Sequence, residues 1–390
     1  MRAAAAAAAT TVLLWLSPVL AQTETTPPSD EPMADPAEEL DEKTGEHSLI
    51  EEDVQPTVPV VKTGDVEVRV GGLVQVHAAP YVGDDALIEN GDPATREGFR
   101  LRRSRLGVEG RFSQPLTIHL TVDLLEADED DGTVSDAKII YDWNEYARLT
   151  AGVGKVPFAR GSLESSRSLD SIERPLSVID IAPEHRVGFS VEGQVAERIS
   201  YLTGLYNGTE GLSDGNEYGG FLTGARVQAT VLGTPKGLGV EDGVAVGASA
   251  FYEDAPATNG FAVSGDVLVS MAGAGLTLEG LCDRRTPDDA PDISPTLSDE
   301  ITRCGGYATL TYDLASDMML VPLQPAVRVE LYDDNTAVDD AGDTWLVSGG
   351  INAQLMDRYL RGQLHYIRRV ERHGVGRPND SAVLSLVGSF

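Results

Sequence analysis

Basic residues are scarce: Lys+Arg number 30 against Asp+Glu 62 in 390 residues, a formal charge of −32. A protein that grips nucleic acid needs a basic face to displace phosphate counterions, so nucleic acid is excluded as a partner. Aromatic residues make up only 6%. After the N-terminus no apolar run reaches the roughly 18–20 residues that a membrane-spanning helix needs, which excludes a helical membrane protein. Cysteine occurs only at Cys282 and Cys304, without CxxC or Cys/His metal spacing. The histidines (His47, His77, His119, His185, His365 and His373) are scattered, and neither HExxH nor GxSxG is present. His185 beside Glu184 is the sole acid–base candidate. An enzyme is not expected, nor a cofactor or a metal site.

What is present begins with an address. Met1 and Arg2 precede an apolar stretch from Ala3 to Leu16, and Val19-Leu20-Ala21 supplies small residues for cleavage before Gln22. Residues 1–21 are therefore expected to be a signal peptide. Residues 22–65 are acidic, rich in proline and free of aromatics. Such a segment buries too little apolar surface to offset its ordering entropy, and reads as a disordered periplasmic linker.

From Val66 the period is two. Val66, Val68, Val70, Gly72, Val74, Val76 and Ala78 alternate with Glu67, Arg69, Gly71, Gln75 and His77. Leu116, Ile118, Leu120, Val122 and Leu124 alternate with Thr117, His119, Thr121 and Asp123. Side chains on a strand point alternately to opposite faces, so these are strands with one apolar and one wet face. Sixteen such segments lie near 66–79, 99–112, 115–125, 135–143, 146–155, 186–196, 198–207, 220–232, 244–253, 260–271, 273–283, 303–314, 324–332, 344–356, 358–369 and 381–390. Long acidic connections follow the odd-numbered segments and mostly short ones the even-numbered. Residues 233–243 and 315–323 are expected to be longer exceptions. An even strand number with short turns at one end and long loops at the other is the pattern of an outer-membrane barrel. A soluble sandwich would want larger apolar residues than the many Val, Ala and Gly found here, and a β-helix would show a short repeat. The final segment sets Ala382, Leu384, Leu386, Gly388 and Phe390 on one face, a terminal aromatic of the kind by which such barrels are delivered for insertion. The fold class is all-β: a transmembrane antiparallel barrel over residues 66–390.

The longest connection, 157–185, is the candidate constriction, since a loop of this length is usually functional. It mixes Arg160, Arg167 and Arg174 with Glu164, Asp170, Glu173, Asp180 and Glu184, and Ser162, Ser165, Ser166 and Ser168 could coordinate an anion. Opposed charges across a narrowing orient polar solutes, and rings of one sign select ions. Polar-face phase nominates Arg69, Arg103, Arg105, Arg111, Arg148, Arg226, Arg328 and Arg361 as pore-lining, because arginine at the lipid midplane costs about 2–4 kcal/mol. Around Arg100–Arg105 the phase is ambiguous; a bulge there would change which arginines face inward. Glu67, Glu109, Asp123, Glu192, Glu279 and Glu330 share the polar face. Cys282 and Cys304 fall on the apolar face of adjacent strands, so a disulfide is expected between them. The acidic loop clusters read as a solvated rim.

Phe99-Arg-Leu-Arg-Arg-Ser-Arg-Leu-Gly-Val-Glu-Gly110 resembles the arginine-rich second strand of the phosphate-selective porin O and P family. Ala151–Phe158, Ser168–Pro175, Arg186–Gly193 and Tyr201–Gly208 are similar to segments of the same family, and the likeness extends over about 66–390. The resemblance implies sixteen strands, a homotrimer, and a third loop folded into the lumen. In that family phosphate selection relies on arginines together with lysines; only Lys155 lies near the expected constriction. The expectation is an outer-membrane porin of a Gram-negative bacterium, in contact with lipid and lipopolysaccharide. It would pass small hydrophilic solutes or ions by passive diffusion, with a preference for anions such as phosphate. The alternative is a structural or adhesive barrel whose loops close the lumen. A stepwise current separates the two.

Overall fold

The computed structural model describes residues 48–390 apart from 87–91, 113–114, 126–133, 145, 184, 209–214, 217–218, 256–257, 288–299, 315–320 and 357–358. The expected signal peptide and the linker as far as residue 47 lie outside the described residues, as does Glu184. In chain order the strands are β1 (Val58–Thr63), β2 (Val66–Val82), β3 (Gly98–Phe112), β4 (Leu116–Asp123), β5 (Val134–Asn144), β6 (Ala147–Gly154), β7 (Arg186–Ala196), β8 (Ile199–Asn207), β9 (Phe221–Lys236), β10 (Gly239–Asp254), β11 (Thr258–Met271), β12 (Ala274–Pro287), β13 (Ile301–Tyr312), β14 (Leu323–Asp333), β15 (Thr344–Met356), β16 (Leu360–Glu371) and β17 (Ser381–Ser389). Two short helices, α1 (Arg160–Leu163) and α2 (Leu176–Ile181), interrupt the connection from β6 to β7.

From β2 to β17 each strand pairs antiparallel with the next, and β17 returns to β2 from Ser381↔Val82 to Ser389↔Leu73. Sixteen strands thus close on themselves. Closure leaves no strand edge unpaired in a medium that cannot hydrate one. The alternation read in the sequence sets the two faces. Across β16 and β17, Leu364 pairs with Leu384, and both are exposed outward (54% and 40%). Their chain neighbours Gln363, His365 and Ser385 are buried inward. The C-terminus is tied into this wall: Phe390 and Gly72 exchange backbone hydrogen bonds of 3.1 and 3.0 Å. A Cβ at Gly72 would stand 2.5 Å from the Phe390 ring, so the close approach needs glycine there.

Three local features depart from, or decide, what the sequence suggested. In the β2–β3 ladder Gln75 pairs with Arg103 and Val76 with Leu101, so Arg102 is an extra, bulged residue. The stretch 233–243 is not a long loop: β9 and β10 stay paired to Lys236↔Gly239. Gly233 at φ 81 and Asp242 at φ 44 let the hairpin continue past a register shift. The third feature concerns the linker. Expected to be disordered to residue 65, it has definite partners from Ser48, and β1 forms a hairpin with β2 through Gly64 at φ 55. The low apolar content that argued for disorder is offset by ion pairs with cations on the inner wall, such as Glu52 with Lys138 and Asp53 with Arg105.

Candidate functional site

The β6–β7 connection turns at Ala159, whose φ of 54 is rare for a side-chain-bearing residue. One wall carboxylate then fixes the start of α1. Glu279 on β12 accepts from the amides of Arg160 (2.5 Å) and Gly161 (2.9 Å), from Ser264 Oγ (2.7 Å) and from Tyr307 Oη (2.9 Å). A Cβ at Gly161 would meet Val178 at 3.0 Å and Tyr307 Oη at 3.2 Å, so glycine lets α1 sit this close. Glu330 on β14 likewise accepts from the amide of Leu176, at 2.7 Å, where α2 begins. Arg328 donates to the Glu173 carbonyl (2.7 Å), Asn352 to that of Asp170 (3.0 Å) and Gln363 to that of Leu169 (2.9 Å). Apolar residues complete the contact: Phe158 meets Phe251 edge to face at 4.8 Å, and Ile172, Val178 and Ile181 pack with Leu281, Tyr332 and Leu346.

On the other side of the loop, Glu173 meets β3. Arg102 Nε donates to one carboxylate oxygen at 2.5 Å and Arg103 Nη2 to the other at 3.2 Å. Burial alone would raise the Glu173 pKa, but Arg103 and Arg102 outweigh it and hold the carboxyl well below its ordinary range. Glu164 shows the reverse balance. Burial pushes it up to about 7; Arg160, 3.2 Å away, opposes this and Glu51 adds to it.

The acidic segment 48–57 lies against the same loop. Glu51 N donates to Leu163 O at 2.9 Å, and Lys155 Nζ donates to the carbonyls of Glu51, Leu163 and Glu164 (2.7, 3.2 and 2.9 Å). The Glu51 carboxylate accepts from Ser165 N (3.1 Å) and Ser168 Oγ (3.0 Å). Glu52 pairs with Lys138 at 2.7 Å. Asp53 accepts from Arg105, from Ser166 N (2.6 Å) and from Ser166 Oγ (3.0 Å), with Arg174 at 4.0 Å. Burial would raise the Asp53 pKa, yet Lys155, Arg105 and Arg174 hold it well below the usual range. Leu49 joins Leu163, Leu202 and Leu238 in a buried cluster, so the β9–β10 hairpin tip also reaches this point.

Beside the segment a cavity of about 660 Å³ opens against β2 to β8. Its lining carries five cations, Arg69, Arg111, Lys138, Arg148 and Lys155, and three carboxylates, Glu52, Glu109 and Glu192. Glu52, His119 and Asp136 gather like metal ligands, but Lys138 Nζ stands 2.7 Å from Glu52 and 2.8 Å from Asp136 and supplies the positive charge itself.

The arginines nominated from sequence divide into groups. Arg69, Arg111 and Arg148 line the cavity. Arg103 and Arg105 engage Glu173 and Asp53. Arg226 is 1% exposed and bonded to Asp266 at 2.7 Å, Arg328 holds the loop, and Arg361 faces Asp170 at 3.6 Å. Of the loop residues, Arg160 donates to Leu238 O (2.6 Å), Arg167 to Gln55 (2.9 Å) and Arg174 to Ser166 Oγ (3.0 Å), while Ser165 and Ser166 meet the acidic segment. Cys282 and Cys304 are cross-strand partners with Cα atoms 4.1 Å apart and form a disulfide. His185 lies 3.7 Å from Asp136. Sequence reasoning missed Arg102, Lys138, Glu51, Glu52 and Asp53. The signal for the last three was their position: an acidic run directly before a barrel whose inward face carries arginines.

The architecture recurs in solved structures. The anion-selective porin from Comamonas acidovorans matches with a TM-score of 0.59 at 13% identity, over 84% of this chain and 100% of that one. In-vitro folded OmpT of Vibrio cholerae, in its trimer form, matches with 0.56 at 13%, over 84% and 100%. The outer-membrane channel DcaP of Acinetobacter baumannii matches with 0.55 at 12%, over 86% and 100%. At these identities the likeness shows a shared fold. No curated protein matches the sequence. The family model described as phosphate-selective porin O and P matches residues 77–265, which span the arginine-rich β3 and the whole β6–β7 connection. Over those residues the chain is similar to the phosphate-selective porin O and P family, and with its closed barrel it is an outer-membrane channel for passive diffusion.

Proposed function

We propose that this porin prefers small anions, phosphate among them, and that the β6–β7 connection folds into the lumen as its constriction. The observation that carries the preference is the cavity lining, where five cations outnumber three carboxylates although the whole chain is strongly acidic. A solute entering from the short-turn end would meet Arg69, Arg111 and Arg148 before reaching the loop. There Arg103, Arg105 and Arg160 add positive charge, each paired with a carboxylate: Glu173, Asp53 and Glu164 in turn. Rings of like charge select ions, and a desolvated site strengthens that selection. The exposed apolar outer face would be covered by lipid and lipopolysaccharide, and by neighbouring subunits in a homotrimer, the form taken by one Vibrio cholerae protein of this fold. Residues 22–47 would extend into the periplasm. No catalytic step is assigned.

The contacts between the loop and β10 to β16 also favour a second reading, a barrel whose lumen is shut. Reversal potentials in asymmetric potassium chloride separate the two. The channel reading expects a current biased toward chloride, with the bias falling when Arg103, Arg105 and Arg160 are replaced by Ala. A folded but silent barrel supports closure. A current whose reversal potential ignores the three substitutions removes those residues from the pathway.

A further inference from the structure

We propose that Asp53 is a tethered stand-in for a permeating oxyanion: segment 48–57 seats its carboxylate in an anion site built by Arg105, Arg174, Lys155 and the Ser166 amide, so that segment and solute compete for the constriction. This rests on the anion-channel reading and adds a built-in competitor to it.

The site has the chemistry of an oxyanion receptor. Asp53 is buried and takes a guanidinium from Arg105, a backbone N–H at 2.6 Å and a hydroxyl at 3.0 Å from Ser166, with a second guanidinium, Arg174, at 4.0 Å. Guanidinium forks and amides aimed at one carboxylate serve equally for any small oxyanion of like geometry. The Lys155 ammonium spends its donors on three backbone carbonyls, so its charge acts on the site through space. Arg105 keeps a second partner, Asp123 at 2.8 Å, so the wall retains a paired arginine when Asp53 leaves.

An independent observation shows that the wall is shaped for the segment. Gly71 on β2 and Gly107 on β3 are cross-strand partners. A Cβ at Gly107 would stand 2.6 Å from Val54 Cγ1, and one at Gly71 would stand 2.8 Å from the Gln55 carbonyl. The missing side chains leave a groove in which Val54 packs with Leu73 and Val387. The acidic residues are thus held in register with the cations: Val54 fills the groove while Asp53, one residue earlier, reaches Arg105.

The test compares the full chain with Asp53→Asn and, separately, with Gly107→Leu, which fills the groove and leaves every carboxylate in place. Single-channel chloride current is measured while inorganic phosphate, and in a second arm succinate, is titrated as blocker. Losing one charge-assisted partner should lower the half-blocking concentration by roughly tenfold in both variants. A larger effect for phosphate than for succinate identifies a tetrahedral oxyanion as the better fit, and the reverse identifies a carboxylate. Chloride-selective channels with unchanged block overturn the tether and leave the channel reading intact. If every protein is silent or cation-selective, the anion reading falls. The tether is then decided on the unmutated chain by amide hydrogen exchange of residues 48–57. Faster exchange in phosphate than in chloride of equal ionic strength supports it, and equal exchange overturns it. The exchange arm also decides the question for any variant that does not fold.

Discussion

Arg103 on β3 and Glu173 in the β6–β7 connection lie 3.2 Å apart because the β2–β3 ladder carries one residue too many. The bulge at Arg102 turns two consecutive arginines toward the same carboxylate, where a regular strand would have sent one of them into lipid. A single-residue irregularity in the wall therefore sets how the loop is held.

Replacing Glu173 with Gln should free the loop from β3. Breaking a buried pair costs about 3–5 kcal/mol where one charge is left uncompensated. Arg102 is partly exposed, so the loss should fall at or below the lower end of that range. The expected outcome is trypsin cleavage after Arg167 or Arg174 in the variant but not in the unmutated protein, with the barrel still closed. Equal resistance would mean that the contacts from β12, β14, β15, β16 and segment 48–57 hold the loop without Glu173.

Anion preference should depend on pH near neutrality through Glu164. Its carboxyl is pushed up to about 7, above the ordinary 4.5, so the folded protein favours the protonated form. The stability this group contributes is full below pH 4.5 and is lost as pH rises through about 7. Ionisation there also adds a negative charge beside Arg160. Reversal potentials taken from pH 6 to pH 8 should move toward lower chloride selectivity, and Glu164→Gln should flatten the curve. A slope that persists in the variant assigns the titration elsewhere.

The outward face should reject charge. Leu364→Arg places a guanidinium opposite Leu384 on the apolar face, at a cost of about 2–4 kcal/mol if it lies at the bilayer midplane. Guanidinium unfolding from lipid vesicles should show that loss. An unchanged midpoint would mean that this position does not face hydrocarbon.

Much of the barrel was legible because a period of two has one physical meaning: Trp345, Val347 and Ile351 point one way and Leu346, Ser348 and Asn352 the other. Parity placed Cys282 opposite Cys304 for the same reason. The interior was less legible. Glu51, Glu52 and Asp53 sit in a run whose composition signals disorder, and only the cations of β3, β5 and β6–β7, distant in sequence, give them partners. The 233–243 stretch reads as a longer connection, yet β9 and β10 stay paired through it, with Gly233 and Asp242 at the register shift. Nor does an arginine's phase tell whether it lines the cavity while paired with a carboxylate, as Arg148 does with Asp142, or is buried against one, as Arg226 is against Asp266.

The disulfide should stabilise the barrel without shaping it. Cys282 and Cys304 enclose a 22-residue separation, for which the chain-entropy account gives about 3 kcal/mol. β12 and β13 remain joined by pairs from Ala274↔Tyr312 to Arg285↔Ile301. The Cys282→Ser, Cys304→Ser protein should therefore lose its compact gel mobility at a lower temperature while its conductance is unchanged. An altered conductance would tie the bond to the pathway.

The most direct test of passive diffusion through this barrel is solute entry into proteoliposomes carrying the unmutated protein. Swelling rates should exceed those of protein-free vesicles for small hydrophilic solutes, fall steeply with solute size, and be greater for an anion than for a neutral solute of equal size. Vesicles containing folded, inserted barrels that swell no faster than protein-free ones would contradict it.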